Sequence, residues 1–190
     1  MPDRVRDLIV TENITLDGVI DASAGWFAPA GAGDVDQSDL DAALTEQREA
    51  ADAFLTGRRT FEQMRSYWPM QTDDETGVAA YLDRVQKYVV STTLDDPAWE
   101  PTTVLRGPLE EDVAALKARP GADIVVTGSV TLVHALVAGG LVDEYRLFLH
   151  PVVVGAGARL FAEGTAHPRL TLVEARPFRS GVVLLRYRPA

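Results

Sequence analysis

The chain has 190 residues, 46% of them hydrophobic and 24% charged, a balance that excludes a disordered or fibrous protein and suits one domain with a substantial core. Its 18 basic and 28 acidic residues leave a net charge of -10, which disfavours nonspecific binding to nucleic acid or to an anionic membrane. The absence of cysteine removes disulfides, thiolate zinc sites and a cysteine nucleophile. With no secretory leader and no apolar run long enough to span a bilayer, the expectation is a cytoplasmic protein, and no metal is assigned.

In chain order, Leu8-Ile9-Val10 opens a buried strand that continues to about Asn13. Asp17-Gly18 is a turn signal between two apolar pieces, and a glycine bend just past a strand end can expose backbone to a flat ligand. Ala22 to Gly33 is a small-residue loop whose Trp26 and Phe27 serve either as an anchor on the core or as a lid over a pocket. Asp34 to Ala51 reads as a helix with Val35, Leu40, Ala43, Leu44 and Ala51 on its apolar face. Asp36, Asp39, Glu46 and Arg48 take the wet side, and Asp41 lies beside the apolar stripe.

Ala53-Phe54-Leu55-Thr56 is a short two-sided strand broken by Gly57. Thr60-Phe61-Glu62-Gln63 has the Thr-x-x-Gln form of a helix capping box. Arg58 and Arg59 therefore stand in a strand-turn-helix junction, where unpaired amides and the helix dipole favour an anion such as phosphate. The plainer alternative is that both arginines form surface salt bridges. A second junction argues for the ligand: Ile124 to Thr127 is a strand, Gly128-Ser129 a turn, and Val130 to Val137 a helix.

Between the two junctions, a short helix near Val78 to Val85 precedes the strand Lys87 to Val90. Ser91, Thr92 and Thr93 follow it as turn formers or as hydrogen-bond donors to a phosphate. Thr102 to Leu105 is a strand. Pro108 to Lys117 is a helix with acidic residues in its first turn and Pro120-Gly121 as its stop. Val142 to His150 is a long strand, and Leu170 to Arg176 with Val182 to Arg188 form a hairpin around Ser180-Gly181. Strands alternating with helices to about residue 140, then strands alone, predict an α/β domain with a mostly parallel sheet and an antiparallel C-terminal edge. Ligands of such sheets bind outside the carboxyl ends of the strands.

Taken together, these residues resemble the dihydrofolate reductase fold, and most closely the family containing the reductase domain of the bifunctional riboflavin-biosynthesis enzyme. The resemblance covers nearly the whole chain. It is carried by Thr15-Leu16-Asp17-Gly18, Gly57-Arg58-Arg59-Thr60, Val90-Ser91-Thr92, Thr127-Gly128-Ser129 and His150-Pro151-Val152-Val153-Val154-Gly155.

It implies an NADPH-dependent reductase of a small planar nitrogen heterocycle, pteridine-like or pyrimidine-like. A nucleotide-binding module without turnover is the alternative. By resemblance, Gly57, Arg58, Arg59 and Thr60 hold phosphates, and Ser91 and Thr92 lie near the adenosine 2′-phosphate. Thr127, Gly128, Ser129, Val130, Thr131 and Leu132 run along the pyrophosphate, with Leu16, Asp17 and Gly18 near the nicotinamide. The Gly128–Ser129 bond is expected to be cis. Asp41, by its spacing from the arginine turn, or Asp17 through a water, supports proton transfer, and Trp26 and Phe27 either stack on the flat substrate or anchor their loop on the core. A homodimer through the C-terminal strands and the Gly155 to Phe161 segment is also implied. The family's Asp-Asp-Pro-x-Leu-Thr-x-Arg pattern is replaced by Phe61 to Pro69.

Overall fold

The computed structural model describes residues 5–27, 35–165 and 169–190. Its strands are β1 (Leu8–Thr15), β2 (Ala51–Gly57), β3 (Gln86–Val90), β4 (Thr102–Leu105), β5 (Asp123–Val126), β6 (Glu144–His150), β7 (Leu170–Pro177) and β8 (Val183–Pro189). Five helices accompany them: α1 (Ser38–Glu49), α2 (Arg58–Tyr67), α3 (Val78–Arg84), α4 (Leu109–Lys117) and α5 (Val130–Ala138).

The strands form an eight-stranded sheet in the order β4-β3-β2-β5-β1-β6-β8-β7. The pairings from β4 across to β6 are parallel, and those of β6 with β8 and β8 with β7 are antiparallel. The expected α/β sheet with an antiparallel C-terminal edge is the one observed. Because side chains alternate across a strand, each central strand feeds two cores. Leu8, Val10, Leu55, Ile124 and Val126 pack in one cluster with Val113 and Leu116 of α4 and Leu132, Val133 and Leu136 of α5. On the opposite face Phe54 joins Phe61 of α2 and Tyr81 and Leu82 of α3. Beside them Phe148 joins Leu40 and Ala43 of α1.

Some boundaries differ from the sequence reading. Helix α1 starts at Ser38, and Val35 precedes it with 55% of its surface exposed, so it is no part of the apolar face. Asp34, where the helix was expected to start, lies outside the described residues, as do Ala28 to Gly33. Ala51 opens β2 instead of closing α1. Thr60 is not an N-cap: Gly57 holds that position with φ −87° and ψ 161°, and α2 begins at Arg58. The extended glycine lets strand pass into helix without a loop.

Two buried charges shape the scaffold. Lys87 is fully buried on β3, where its ammonium donates to the carbonyls of Leu82 (2.6 Å) and Val85 (3.2 Å) and lies 4.7 Å from the ring centre of Trp99. It thereby ties the end of α3 to the sheet. Glu144, at the start of β6, is 1% exposed and accepts hydrogen bonds from Arg146 (2.7 Å), Arg186 (2.8 Å) and Arg188 (3.1 Å). Burial pushes its carboxyl up, but hydrogen bonds from Arg186 and Arg146 outweigh this and hold it at about 2.

Candidate functional site

The parallel register aligns the carboxyl ends of the strands. Gly57 of β2 pairs with Val90 of β3, and Val90 with Leu105 of β4. The next residues, Arg58, Ser91 and Arg106, therefore leave three neighbouring strands side by side, with about 4.8 Å between strands. Arg106 was not singled out in the sequence, although it follows its strand as directly as Arg58 follows β2.

The two glycine junctions interlock. Ser129 Oγ accepts from the Gly57 amide (2.9 Å) and lies 3.0 Å from Thr56 Oγ1. In return the Ser129 amide donates to Thr60 Oγ1 (3.0 Å). The backbones approach so closely that a Cβ on Gly128 would sit 3.2 Å from Thr60 Cγ2. Neither α2 nor α5 has a side-chain cap at its N-terminus, so the positive ends of two helices meet with first-turn amides available. Val130 and Thr131 open α5 at this rim, while Leu132 is buried in the core beneath.

The expected cis bond at Gly128–Ser129 is corrected: the cis peptide among the described residues is Glu100–Pro101. Gly128 (φ 62°) and Ser129 (φ 51°) make the turn by both entering the left-handed region, avoiding the roughly 3 kcal/mol of a non-proline cis bond. Ser129 is kept there by its hydrogen bonds to Gly57 and Thr60.

The two arginines of the first turn part company. Arg58 pairs with Glu62 one helical turn on (3.2 Å), in line with the plainer surface reading. Arg59 is exposed and has no hydrogen bond or ion pair among the described residues. Ser91 Oγ accepts from the amides of Thr93 (3.1 Å) and Leu94 (3.0 Å), while Thr92 is exposed beside it. Arg106 donates to the Leu94 carbonyl (2.5 Å), which fixes that turn.

Next to the turns, a cavity of about 180 Å³ opens on the α1, α2 and α3 face. Its walls include Thr11 to Asn13 of β1, Phe54, Thr127, Met64 and Trp68, with Gln47 and Arg48 of α1 and Tyr81 of α3. Arg48, expected on the wet side of α1, is only partly exposed and forms part of this wall. Asp41 is partly exposed in the first turn of the same helix and is not among the residues that line the cavity.

Asp17 is engaged elsewhere. Its carboxylate accepts from the Thr15 hydroxyl (2.6 Å) and from the amides of Gly155 (2.8 Å) and Val154 (3.3 Å). The Thr15 hydroxyl and then the Gly155 amide pull it down to about 2, so this carboxylate pins the loop after β6 to the end of β1. Leu16 is 58% exposed at that turn, and Gly18 takes φ 83°. Trp26 and Phe27 pack edge-on against His150, with centroids 5.5 and 5.6 Å away, and His150 bonds Asn13 of the cavity wall (2.9 Å). They sit against the end of β6, not in the cavity wall.

Glu12 was missed in the sequence, where a charged residue inside Leu8–Thr15 is the one available signal. It is 4% exposed and its Oε1 has no partner. Burial raises its pKa well above 4.5, opposed by the Gly128 amide it faces. The native state thus keeps a proton that the unfolded chain releases, and stability falls as pH rises from about 4.5 through the folded pKa. Glu12→Gln is expected to match the parent at pH 4 and to gain on it steadily toward pH 8 in urea unfolding. A gap that does not change with pH would contradict a buried neutral acid.

A mostly parallel sheet with an antiparallel edge, and glycine turns at its carboxyl ends, define a dihydrofolate reductase-like reductase fold. The chain belongs to the RibD C-terminal domain family, which matches residues 6–184. It is 34% identical to the uncharacterized protein YyaP of Bacillus subtilis over 186 residues, covering 96% of this chain and 94% of that one. Among solved structures it is similar to the deaminase/5-amino-6-(5-phosphoribosylamino)uracil reductase of Thermotoga maritima, with TM-score 0.66 and 18% identity, covering 97% of this chain and 57% of that one. A pyrimidine reductase-like protein of Corynebacterium diphtheriae matches with TM-score 0.64 and 16% identity, covering 98% and 93%. Among the described residues no helix is long and apolar enough to cross a membrane, and no group of three His, Asp or Glu side chains suits a metal ion.

Proposed function

We propose that the protein is an NADPH-dependent reductase of a small planar nitrogen heterocycle, acting in the cytoplasm. The observation that carries this reading is the meeting of two helix N-termini without side-chain caps beside Arg59, which has no partner among the described residues, near a cavity of about 180 Å³ whose wall includes Thr127. In a protein of net charge -10 such a concentration of donors has little use except to hold a polyanion.

The donor set fits a dinucleotide. Arg59 and the first-turn amides of α2 and α5 would hold its phosphates, and Ser91, Thr92 and Arg106 a 2′-phosphate. When bound, the nicotinamide supplies the hydride. The chain's own part is to seat the acceptor ring between Trp68, Phe54 and Met64 and to keep bulk water from it. The uracil reductase activity of the Thermotoga maritima protein supports a pyrimidine-like or pteridine-like acceptor and a place in riboflavin biosynthesis.

Titration with NADPH and NADH in parallel tests the cofactor, and NADPH oxidation in the presence of pterins and aminopyrimidines tests turnover. Tight NADPH binding with oxidation of the cofactor is the expected result. Binding without oxidation favours a nucleotide-binding module, and no binding of either nucleotide withdraws the reductase reading.

A homodimer is proposed through the C-terminal strands. β7 is an edge strand that leaves Leu172 (53%) and Val173 (48%) exposed, a surface that soluble proteins usually pair or protect. A sedimentation mass near 20.6 kDa would exclude it.

A further inference from the structure

The wall of the cavity includes two polar side chains that the cofactor reading does not use, Arg48 and Tyr81. Arg48 rises from the last full turn of α1. Its Nη2 donates to Thr45 Oγ1 (2.8 Å) and to the Thr76 carbonyl (2.8 Å), which fixes the guanidinium and leaves Nε and Nη1 without a partner among the described residues. Burial lowers its pKa, opposed by the more distant charges of Asp74, Tyr81, Asp41 and Glu49. None of those carboxylates comes within ion-pair distance.

Tyr81 reaches the cavity from α3 and is 7% exposed, yet its hydroxyl has no hydrogen-bond partner among the described residues. The hydroxyl oxygen itself is not sealed from solvent, so it is an open donor. Burial pushes this phenol up to about 12 against the pull of Arg48, so at neutral pH it is a donor. Of the other polar wall residues, Gln47 and Thr11 bond each other at 3.0 and 3.2 Å and Asn13 bonds His150 (2.9 Å), while Glu12, whose Oε1 has no partner among the described residues, is pushed by burial toward its neutral form.

Resting on the reductase reading for the cavity's role, we infer that Arg48 and Tyr81 select a flat ring compound that carries an anionic oxygen, a carboxylate or its equivalent. A guanidinium held half-buried without a counter-ion is costly, and a carboxylate that takes its free edge offsets that cost through charge-assisted, fork-shaped bonds. The Tyr81 hydroxyl supplies a further donor to the same oxygen or to a ring carbonyl. Phe54, Trp68 and Met64 give the apolar walls for the ring. At about 180 Å³ the space suits one ring or a fused pair, below the roughly 300 Å³ at which pockets for larger ligands begin.

Calorimetric titration of the full chain with orotate and with uracil, which differ by one carboxylate, tests this without any cofactor. Orotate is expected to bind at least tenfold more tightly than uracil, Arg48→Gln to reduce that ratio to about two, and Arg48→Lys to fall between. Tyr81→Phe is expected to weaken orotate several-fold with no loss of melting temperature, because the hydroxyl it removes has no partner to lose.

Equal affinity for the two probes, binding of neither at millimolar concentration, or a preference that survives Arg48→Gln overturns the inference. NADPH titration of the same variants separates the two failures. A parent protein that binds orotate selectively but not NADPH strikes the reductase reading and leaves the anion site standing, whereas NADPH binding without orotate preference does the reverse.

Discussion

Replacing Arg59 and Arg106 together with alanine is expected to weaken NADPH binding about a hundredfold, roughly 2.7 kcal/mol. Each arginine would lose a charge-assisted contact to phosphate, typically worth about 1.5–3 kcal/mol. The discriminating control is Arg58→Ala. Because Arg58 is already paired with Glu62, its loss is expected to cost no more than about threefold. Arg106→Ala alone should weaken NADPH and leave NADH nearly unchanged, since the proposed 2′-phosphate site is the one beyond β4 beside Ser91. Raising the salt concentration should narrow the gap between parent and double variant, as screening weakens exposed pairs. If Arg58→Ala proved as damaging as Arg59→Ala, the assignment of the free guanidinium would be wrong.

Glu144→Gln is expected to be the most destabilising single change in the scaffold, costing about 3–5 kcal/mol at pH 7. The amide keeps the volume but leaves Arg146, Arg186 and Arg188 without the buried charge they converge on. The pH dependence gives a second check. The carboxyl sits at about 2 in the folded protein against a reference of 4.5, so its stabilisation is fully present above 4.5 and is lost as pH falls toward 2. About 3 kcal/mol should disappear across that window in the parent and be missing from the variant. Urea unfolding of both proteins at pH 7 and pH 3 reads about 2 kcal/mol of this; a variant that lost as much on acidification as the parent would show that other carboxylates dominate.

The parts of the fold that were legible in advance are those governed by local pattern. Thr102 to Leu105 was read with its observed bounds because a short apolar run between prolines and glycines has few other uses. The strand-to-helix junctions at Gly57 and Gly128 were found because glycine at the end of an apolar run marks a sharp turn. Where the reading failed, a longer-range contact had overruled the local signal. Thr60 looked like a cap, but its hydroxyl serves the amide of Ser129, 69 residues away. Gly128-Ser129 did not need a cis bond once that contact and the one to Gly57 could fix two left-handed residues. The Asp17 carboxylate, expected to act through a water, also accepts from the amides of Gly155 and Val154, a tie to a distant loop that its neighbours in sequence do not show.

The sequence by itself determined the alternation of strands and helices, the direction of the sheet and the position of the glycine turns. Each follows from side-chain periodicity or backbone freedom within a few residues. Only the tertiary structure decided that Arg58 is paired and Arg59 free, that Glu12 lies buried under the Gly128 turn, and that Arg48 and Tyr81 share one cavity. These facts depend on which helices pack on which face and how closely, and the energy that sets them comes from burial and pairing between segments far apart in the chain.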